Sequence, residues 1–505
     1  MGCARAKVEP GGLCLGRCPT FAPLVAAPLP FVVKNYLPHT LLLPLLLLLL
    51  LIGLSFLPRQ LSVWGVPLRP VDIFSDLRSD SLLAQQAAAP AAADTVPPAL
   101  PDTAGWAADA PPPMTDSVGP LPPKDSAFFG KTIEDYTPDQ QGLRRFFASV
   151  DSIRAGRKVR VAWFGDSFVE GDILLGDLRD TLQSLWGGAG VGFVPITSEV
   201  AQFKRTLKHQ YKGWSTYSIV KKAEQRPPLG INGYAYRPGP EAKVHYEAAD
   251  YFRHTRQFVQ FRLFYTSEAG RQFVWQIQDG EPRTERLPAQ PGGRLGVWTW
   301  EERYPGTRAV AARFPETEGL MLYGGSFENG PGFYIDNFSV RGNTGGPLKL
   351  LHPDLLRQFD AAQRYDLVVL QVGLNAVTHS LDNIKWYRAE LERTYAHLRR
   401  CFPGQPILIV SVGDRADKLG TELATMRSVP VIVAMQRTLA REFGFLFYDL
   451  YWGMGGPGSM IEMANHRPRY ANLDYTHLTH DGGRYVGLRL AQVFLQEKER
   501  WRALR

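Results

Sequence analysis

The chain has 505 residues, 45% of them hydrophobic, which is enough for more than one folded unit with a sizeable core. Its formal charge of +8 comes from 57 Lys and Arg against 49 Asp and Glu spread along the sequence. No recognition motif for nucleic acid accompanies that charge, and attraction to anionic envelope polymers or membrane surfaces is its more natural use.

Residues 36–58, YLPHTLLLPLLLLLLLIGLSFLP, form an uncharged leucine-rich run long enough to cross a bilayer. The tail at 1–35 carries Arg5, Lys7, Arg17 and Lys34 against Glu9, so it is expected to stay inside, with the run as a single-pass signal anchor in the cytoplasmic membrane. A cleaved signal peptide is the alternative. Either reading exports the remainder of the chain into the periplasm or extracytoplasmic space. A membrane-proximal segment at 59–83 leads to an Ala/Pro-rich stretch at 84–124, whose composition predicts an extended tether with no core of its own. Of the four cysteines, Cys3, Cys14 and Cys18 precede the anchor and Cys401 alone lies beyond it, which excludes an intrachain disulfide in the exported part. The Cys14/Cys18 pair has no partner histidine, and no phosphate loop or haem motif occurs, so neither metal nor cofactor is expected.

Beyond the tether, 125–202 opens an α/β unit. The apolar run VRVAWF reads as a strand, the Gly165-Asp166 pair as a tight turn, and Ser167 as the first residue exposed beyond it. A helix comes next, with Leu174, Leu175, Leu178, Leu182 and Leu185 at helical spacing as expected core residues. The pattern then changes. Between 203 and 315, runs such as QFVQFRLFYTSE, RQFVWQIQDGEP, RLGVWTWEE and TRAVAARF are short strands separated by Gly, Pro and charged turns, and they predict a β-sandwich or jelly roll. Trp275, Trp298 and Trp300 in these strands are either sugar-stacking platforms or, more commonly for strand tryptophans, core. From 316 to 505 alternation of strand and helix resumes: YIDNFSV, a helix in HPDLLRQFDAAQR, the strand YDLVVLQVG, a helix at 385–400, PILIVSV, a helix at 430–443, FLFYDL and a terminal amphipathic helix. This is the pattern of a three-layer α/β fold.

Three segments carry chemistry. Ser167 at a strand end needs an adjacent base to become a nucleophile, and His477 supplies an imidazole. Asp474, three residues earlier, is placed to hold one imidazole nitrogen as a donor and leave the other free to take the serine proton. Asn375, just beyond YDLVVLQVG, offers a side-chain amide to an oxyanion, alongside the Ser167 N–H and a nearby glycine N–H. Taken singly, Gly-Asp-Ser is common turn chemistry, Gly-Leu-Asn a common loop and His477 an ordinary surface histidine. The set gains weight because each residue falls at a strand terminus or the carboxyl end and each fills a different role.

These blocks resemble the SGNH (GDSL-type) hydrolase superfamily: Ser167 in FGDSF, Asn375 in GLN and His477 in DYTH, with Asp474 as triad acid. The resemblance implies a flavodoxin-like α/β domain and a second-block glycine, assigned to Gly342 in YIDNFSVRGNTGG, as an oxyanion-hole donor. Phe168 replaces the usual leucine, one apolar residue for another. Ala376 stands where many members have an aspartate that orders the local loop. The insertion between Ser167 and Gly342, and the run GDSFVEGDILLGDLRDTLQSLWGGAGVGFVP, further resemble bacterial peptidoglycan O-acetylesterases and O-acetyltransferases. That implies an O-acetylated envelope polysaccharide as substrate. The transferase reading implies a glycan hydroxyl as acceptor and a membrane-bound acyl-transfer partner. A glycan-binding or scaffold protein that has lost catalysis is the remaining alternative.

Overall fold

The computed structural model describes residues 62–63, 66–67, 130–302 and 306–503. The tail at 1–35, the apolar run at 36–58 and the tether at 84–124 lie outside the described residues, as does most of 59–83. The chain divides into Met1–Pro112 and Pro113–Arg505. In the first, the described residues form a short antiparallel pairing of Ser62–Val63 with Val66–Pro67. Among the described residues no helix is long and apolar enough to cross a membrane.

Among the described residues the second unit contains two large sheets and a two-stranded hairpin, β15 (Ala416–Leu419) with β16 (Glu422–Thr425). The first has six strands: β1 (Ile133–Asp135), β2 (Lys158–Gly165), β12 (Gly332–Ser339), β13 (Tyr365–Gln371), β14 (Ile407–Val410) and β17 (Leu446–Tyr448). Their order is β12-β2-β13-β14-β17-β1, with all neighbours parallel except β1, which runs antiparallel to β17 along one edge. Every residue of β13 is buried, so both faces of the sheet are covered, and its run of Leu, Val and Val is what a two-sided parallel strand requires. The helices fall into two groups. Helices α1 (Gly142–Asp151), α2 (Leu175–Trp186) and α8 (His480–Ala503) pack together, and α3 (Pro353–Gln363), α4 (Ile384–Cys401) and α5 (Ser428–Glu442) form the other set. In α2, Leu175, Leu178 and Leu182 are buried as their spacing requires, and Leu174 just before it is buried too. Leu185 departs from expectation: it is 56% exposed in the last turn, where the adjacent Trp186 is the residue that packs on the sheet, against Phe333.

The second sheet is antiparallel and has nine strands: β3 (Gly192–Val194), β4 (Leu207–Ser218), β5 (Tyr234–Ala248), β6 (Gln260–Thr266), β7 (Arg271–Ile277), β8 (Arg283–Leu287), β9 (Gly296–Glu301), β10 (Ala309–Arg313) and β11 (Met321–Glu328). The main path is β8-β7-β10-β5-β11-β6-β9, with β4 on β5 and β3 on β11. Strand β5 pairs with β11 near its start and with β10 near its end, so the ladder folds back on itself. Phe273 and Trp275 of β7 then meet Trp298 of β9 with ring centroids 5.0 and 5.1 Å apart across the interior. Trp275 and Trp298 are buried, and both indole N–H groups donate to Glu285, which makes them core residues; Trp300 packs partly buried against the same core. The sheet extends beyond 203–315 at both ends, because β3 and β11 pair with each other from either side of the insertion.

The two layers share a core. Phe193 meets Phe338 of β12 at 5.2 Å, and Phe264 meets Phe359 of α3 at 5.5 Å. Arg160 of β2 is wholly buried between Glu328 of the sandwich and Asp336 of β12, 2.8 Å from each. Lys158 and Arg262 approach the same Glu328. This network ties the strand leading to Ser167 to the sandwich.

Candidate active site

Strand β2 is buried from Val159 onward and ends at Gly165, so Ser167 emerges at the carboxyl edge of the sheet, where open α/β folds bind ligands. Its side chain is nearly buried, with 8% of the residue exposed. The Ser167 Oγ lies 3.0 Å from His477 Nε2. His477 arrives on the loop between α7 (Ser459–Asn465) and α8, and its Nδ1 lies 2.7 Å from Asp474 Oδ2. An ionised carboxylate only accepts, so Nδ1 carries the ring proton, Nε2 keeps its lone pair, and the serine hydroxyl donates to it.

The Asp-x-x-His spacing works because Asp474 closes a local turn. Its Oδ1 accepts the N–H groups of Thr476 at 3.0 Å and His477 at 3.1 Å, which leaves Oδ2 for the imidazole. The loop is further pinned by the Asn472 N–H on His477 O and the Ala416 N–H on Tyr475 O. Gly483, in the first turn of α8, lets this end of the helix dock against the segment after Ser167. A Cβ there would stand 2.1 Å from the carbonyl oxygen of Ile173. Partial burial works to raise the Asp474 carboxyl, but the hydrogen bonds from the His477 ring and from the His477 and Thr476 N–H groups outweigh it and hold the group below its ordinary value.

The remaining expected residues sit on neighbouring turns. Strands β12 and β13 both pair with β2 at Gly165, through Ser339 and Gln371, so the turns beyond them all leave the same edge. Asn375 donates its amide to Asn343 O at 3.2 Å. That contact joins its loop to the turn carrying Gly342, an exposed glycine whose φ of +80° an L side chain rarely adopts. Ser167, His477 and Asp474 thus form one hydrogen-bonded chain. Asn375 and Gly342 belong to a second assembly beside it, and among the described residues no hydrogen bond joins either to Ser167.

The structure adds residues that the motifs did not single out. Asp166, 2% exposed, accepts the Phe168 N–H at 3.0 Å and the Leu374 N–H at 3.2 Å, linking the serine turn to the Asn375 loop. Burial pushes its carboxyl up to about 6, opposed by the N–H groups of Phe168, Leu374 and Gly373. From the opposite side, Arg415 donates to Leu374 O at 3.1 Å and Val377 O at 3.4 Å. With Ala376 in place of the common aspartate, Asp166 and Arg415 hold this loop between them. Their contacts with the Asn375 loop run through backbone atoms distant in sequence, for which no local pattern exists. After Ser167, Asn337 binds Val169 O at 2.9 Å and Asp172 Oδ1 at 2.8 Å, and Thr206, at the start of the insertion, binds Asp172 Oδ2 at 2.8 Å. The Arg341 guanidinium meets Glu170 at 2.7 Å. Among the described residues no cluster of three or more His, Cys, Asp and Glu side chains suits a metal ion.

Residues 322–485 match the GDSL-like Lipase/Acylhydrolase family, a span that holds Gly342, Asn375, Asp474 and His477. A solved structure of a peptidoglycan O-acetylesterase aligns with a TM-score of 0.59 at 19% identity, covering 73% of this chain and 99% of that one. A family two carbohydrate esterase from Cellvibrio japonicus aligns over 57% of this chain and 99% of its own, at 10% identity and a TM-score of 0.23, too low to bear on the fold. No curated protein matches the chain. The family match over residues 322–485 and the parallel sheet with its serine at the strand edge give the chain an SGNH-like α/β fold, into which an antiparallel β-domain is inserted. Its enzyme class is carboxylic ester hydrolase.

Proposed function

We propose that this chain removes O-acetyl groups from a cell-envelope glycan, most directly peptidoglycan, with Ser167 as nucleophile. The observation that carries the reading is the unbroken chain Asp474–His477–Ser167, with contacts of 2.7 and 3.0 Å. The Ser167 oxygen attacks the acetyl carbonyl as its proton passes to His477 Nε2, and Asp474 stabilises the imidazolium. Negative charge gathers on the former carbonyl oxygen, where the N–H groups of Ser167 and Gly342 and the Asn375 amide are the donors we assign. Collapse breaks the bond to the sugar oxygen, which leaves with the proton from His477. Water, deprotonated by His477, then attacks the acetyl-serine, and acetate departs as the serine recovers its proton. Fold-level likeness to a peptidoglycan O-acetylesterase supports the choice of glycan. We further propose that residues 36–58 anchor the chain in the cytoplasmic membrane and that 84–124 lets the catalytic unit reach the wall.

The test is acetate release from O-acetylated peptidoglycan by the full chain in detergent, with Ser167→Ala beside it, with and without a glycan hydroxyl acceptor. Serine-dependent acetate that is indifferent to the acceptor supports hydrolysis. Serine-dependent acetylation of the acceptor with little free acetate makes the protein a transferase and overturns the proposal.

A further inference from the structure

The outer face of the sandwich carries an arrangement of charge that its fold does not require. Strands β4, β5, β10 and β7 lie side by side, and their register places residues in transverse rows. Lys212 stands opposite Lys243, Lys243 opposite Arg313, and Arg313 opposite Val274. The row beside it runs Gln210, His245, Ala311, Gln276. Adjacent strands are roughly 4.8 Å apart, so three cations on three successive strands repel one another, and like charges directly opposite destabilise a sheet. A neighbouring row shows the ordinary solution: Lys208 faces Glu247 and bonds it at 2.6 Å. In the cationic row the Glu241 carboxylate reaches Lys212 at 3.1 Å with both side chains largely exposed, a contact of little worth. No hydrogen bond or ion pair engages the ends of Lys243 and Arg313 among the described residues, and both residues are exposed.

These rows line a groove of about 280 Å³. The small Ala311 gives it depth, and with Val274 it supplies an apolar floor. Gln210, His245 and Gln276 offer donors and acceptors along one side, and the three cations line the other. None of Ser167, Asp474 and His477 lines this groove.

We propose that this groove binds a carboxylate-bearing glycan strand, with sugar rings over Ala311 and Val274, hydroxyls on the Gln210–His245–Gln276 row, and acidic groups on Lys212, Lys243 and Arg313. Charge complementarity selects the occupant: a neutral polysaccharide has nothing to offer the cationic row. The assignment rests on the proposed function for its choice of polymer, since peptidoglycan carries carboxylates on its stem peptides. Binding here would hold the substrate chain on the enzyme between successive acetyl esters.

The test uses the full chain in detergent and soluble peptidoglycan strands, either with free carboxylates or with those carboxylates converted to neutral amides by carbodiimide and ammonia. Binding of the intact strands should weaken about tenfold or more in the Lys243→Gln/Arg313→Gln double variant, and similarly on amidating the carboxylates or raising the salt. The variant should match or exceed the parent in thermal stability, because the repulsion is relieved. Ser167-dependent hydrolysis of 4-nitrophenyl acetate should be unchanged, while KM for the polymer rises. Equal binding by parent and variant, equal binding of amidated strands, or tighter binding of a DNA duplex than of the intact strands overturns the inference. Loss of Ser167 dependence with the small ester would instead overturn the catalytic reading, so the two failures are distinguishable.

Discussion

Replacing Asp474 should cost less than the loss of a triad aspartate usually does, because this one is half in water. Its side chain is 48% exposed and that of His477 33%, although the Oδ2 to Nδ1 contact is 2.7 Å. A carboxylate and an imidazolium with charge centres about 4 Å apart interact by about 1 kcal/mol in water and about 4 kcal/mol at the effective dielectric of a protein surface. Removing that attraction from the transition state should lower kcat by about 5-fold to about 1,000-fold, against the roughly 10⁴-fold characteristic of a fully buried triad. Asp474→Ala loses this attraction and also the turn that Oδ1 closes through Thr476 and His477. Asp474→Asn keeps an oxygen for those two N–H groups, yet its NH₂ faces Nδ1 and favours the tautomer protonated on Nε2, where His477 cannot accept from Ser167. The asparagine variant should therefore be impaired at least as much as the alanine variant despite its better-formed turn. The assay is kcat for acetyl ester hydrolysis in both variants, with circular dichroism to confirm folding. An asparagine variant close to the parent, or an alanine variant as dead as Ser167→Ala, would refute this reasoning.

The Asn375 loop gives a second expectation: Arg415→Ala should lower kcat for the small ester about 10- to 100-fold with KM nearly unchanged, because Arg415 acts through the Leu374 and Val377 carbonyls and not on substrate. A rise in KM alone would place it in binding. Glu328 gives a third. Burial works to raise its carboxyl, but Arg160, Lys158 and Arg262 bring it from an ordinary value of 4.5 down to about 2. A carboxyl lowered on folding stabilises the native state fully above its unfolded value, and that stability is lost as pH falls toward the folded value. Glu328→Gln should therefore be destabilised at neutral pH, by about 3 to 5 kcal/mol as for one half of a buried pair, and the gap to the parent should narrow below pH 4.5. Denaturant melts across pH measure this, and a gap that widens on acidification would contradict it. A fourth concerns Asn343: Asn343→Ala keeps the backbone carbonyl that receives the Asn375 amide but loses the side-chain bond to the Gly345 N–H, so kcat should fall by less than in Asn375→Ala. A larger loss in Asn343→Ala would mean that its side chain orders the whole loop.

Much of the α/β layer was legible because its strands are buried on both faces. The apolar runs in β13 and β14, and in β2 apart from Arg160, need no alternation to be recognised. The residues of the proposed triad, which the structure joins by hydrogen bonds, were legible because each adjoins a sharp local signal: the Gly165-Asp166 turn for Ser167, and the three-residue spacing for Asp474 and His477. The features that stayed hidden depend on contacts between distant segments. The sandwich reaches past 203–315 because Gly325 pairs with Val194, and nothing in either short segment announces the other. The edge strand β1 has three residues, two of them charged, and owes its place to Leu446–Tyr448. The hairpin formed by Ala416–Leu419 and Glu422–Thr425 is too polar to alternate visibly, yet Ala416 at its base steadies the histidine loop. Leu185 shows the converse, a residue at helical spacing from Leu178 and Leu182 that faces solvent while its neighbour Trp186 packs on Phe333 of the sheet.

The most direct test of the central claim is covalent. The full chain, folded and in detergent, is treated with a serine-reactive fluorophosphonate and the modified peptide is mapped by mass spectrometry, with Ser167→Ala and His477→Ala treated in parallel. Labelling at Ser167, absent in Ser167→Ala and strongly slowed in His477→Ala, is the predicted result. Failure to label folded protein under conditions that label an active control esterase, or labelling at another serine, would contradict the assignment of Ser167 as the nucleophile.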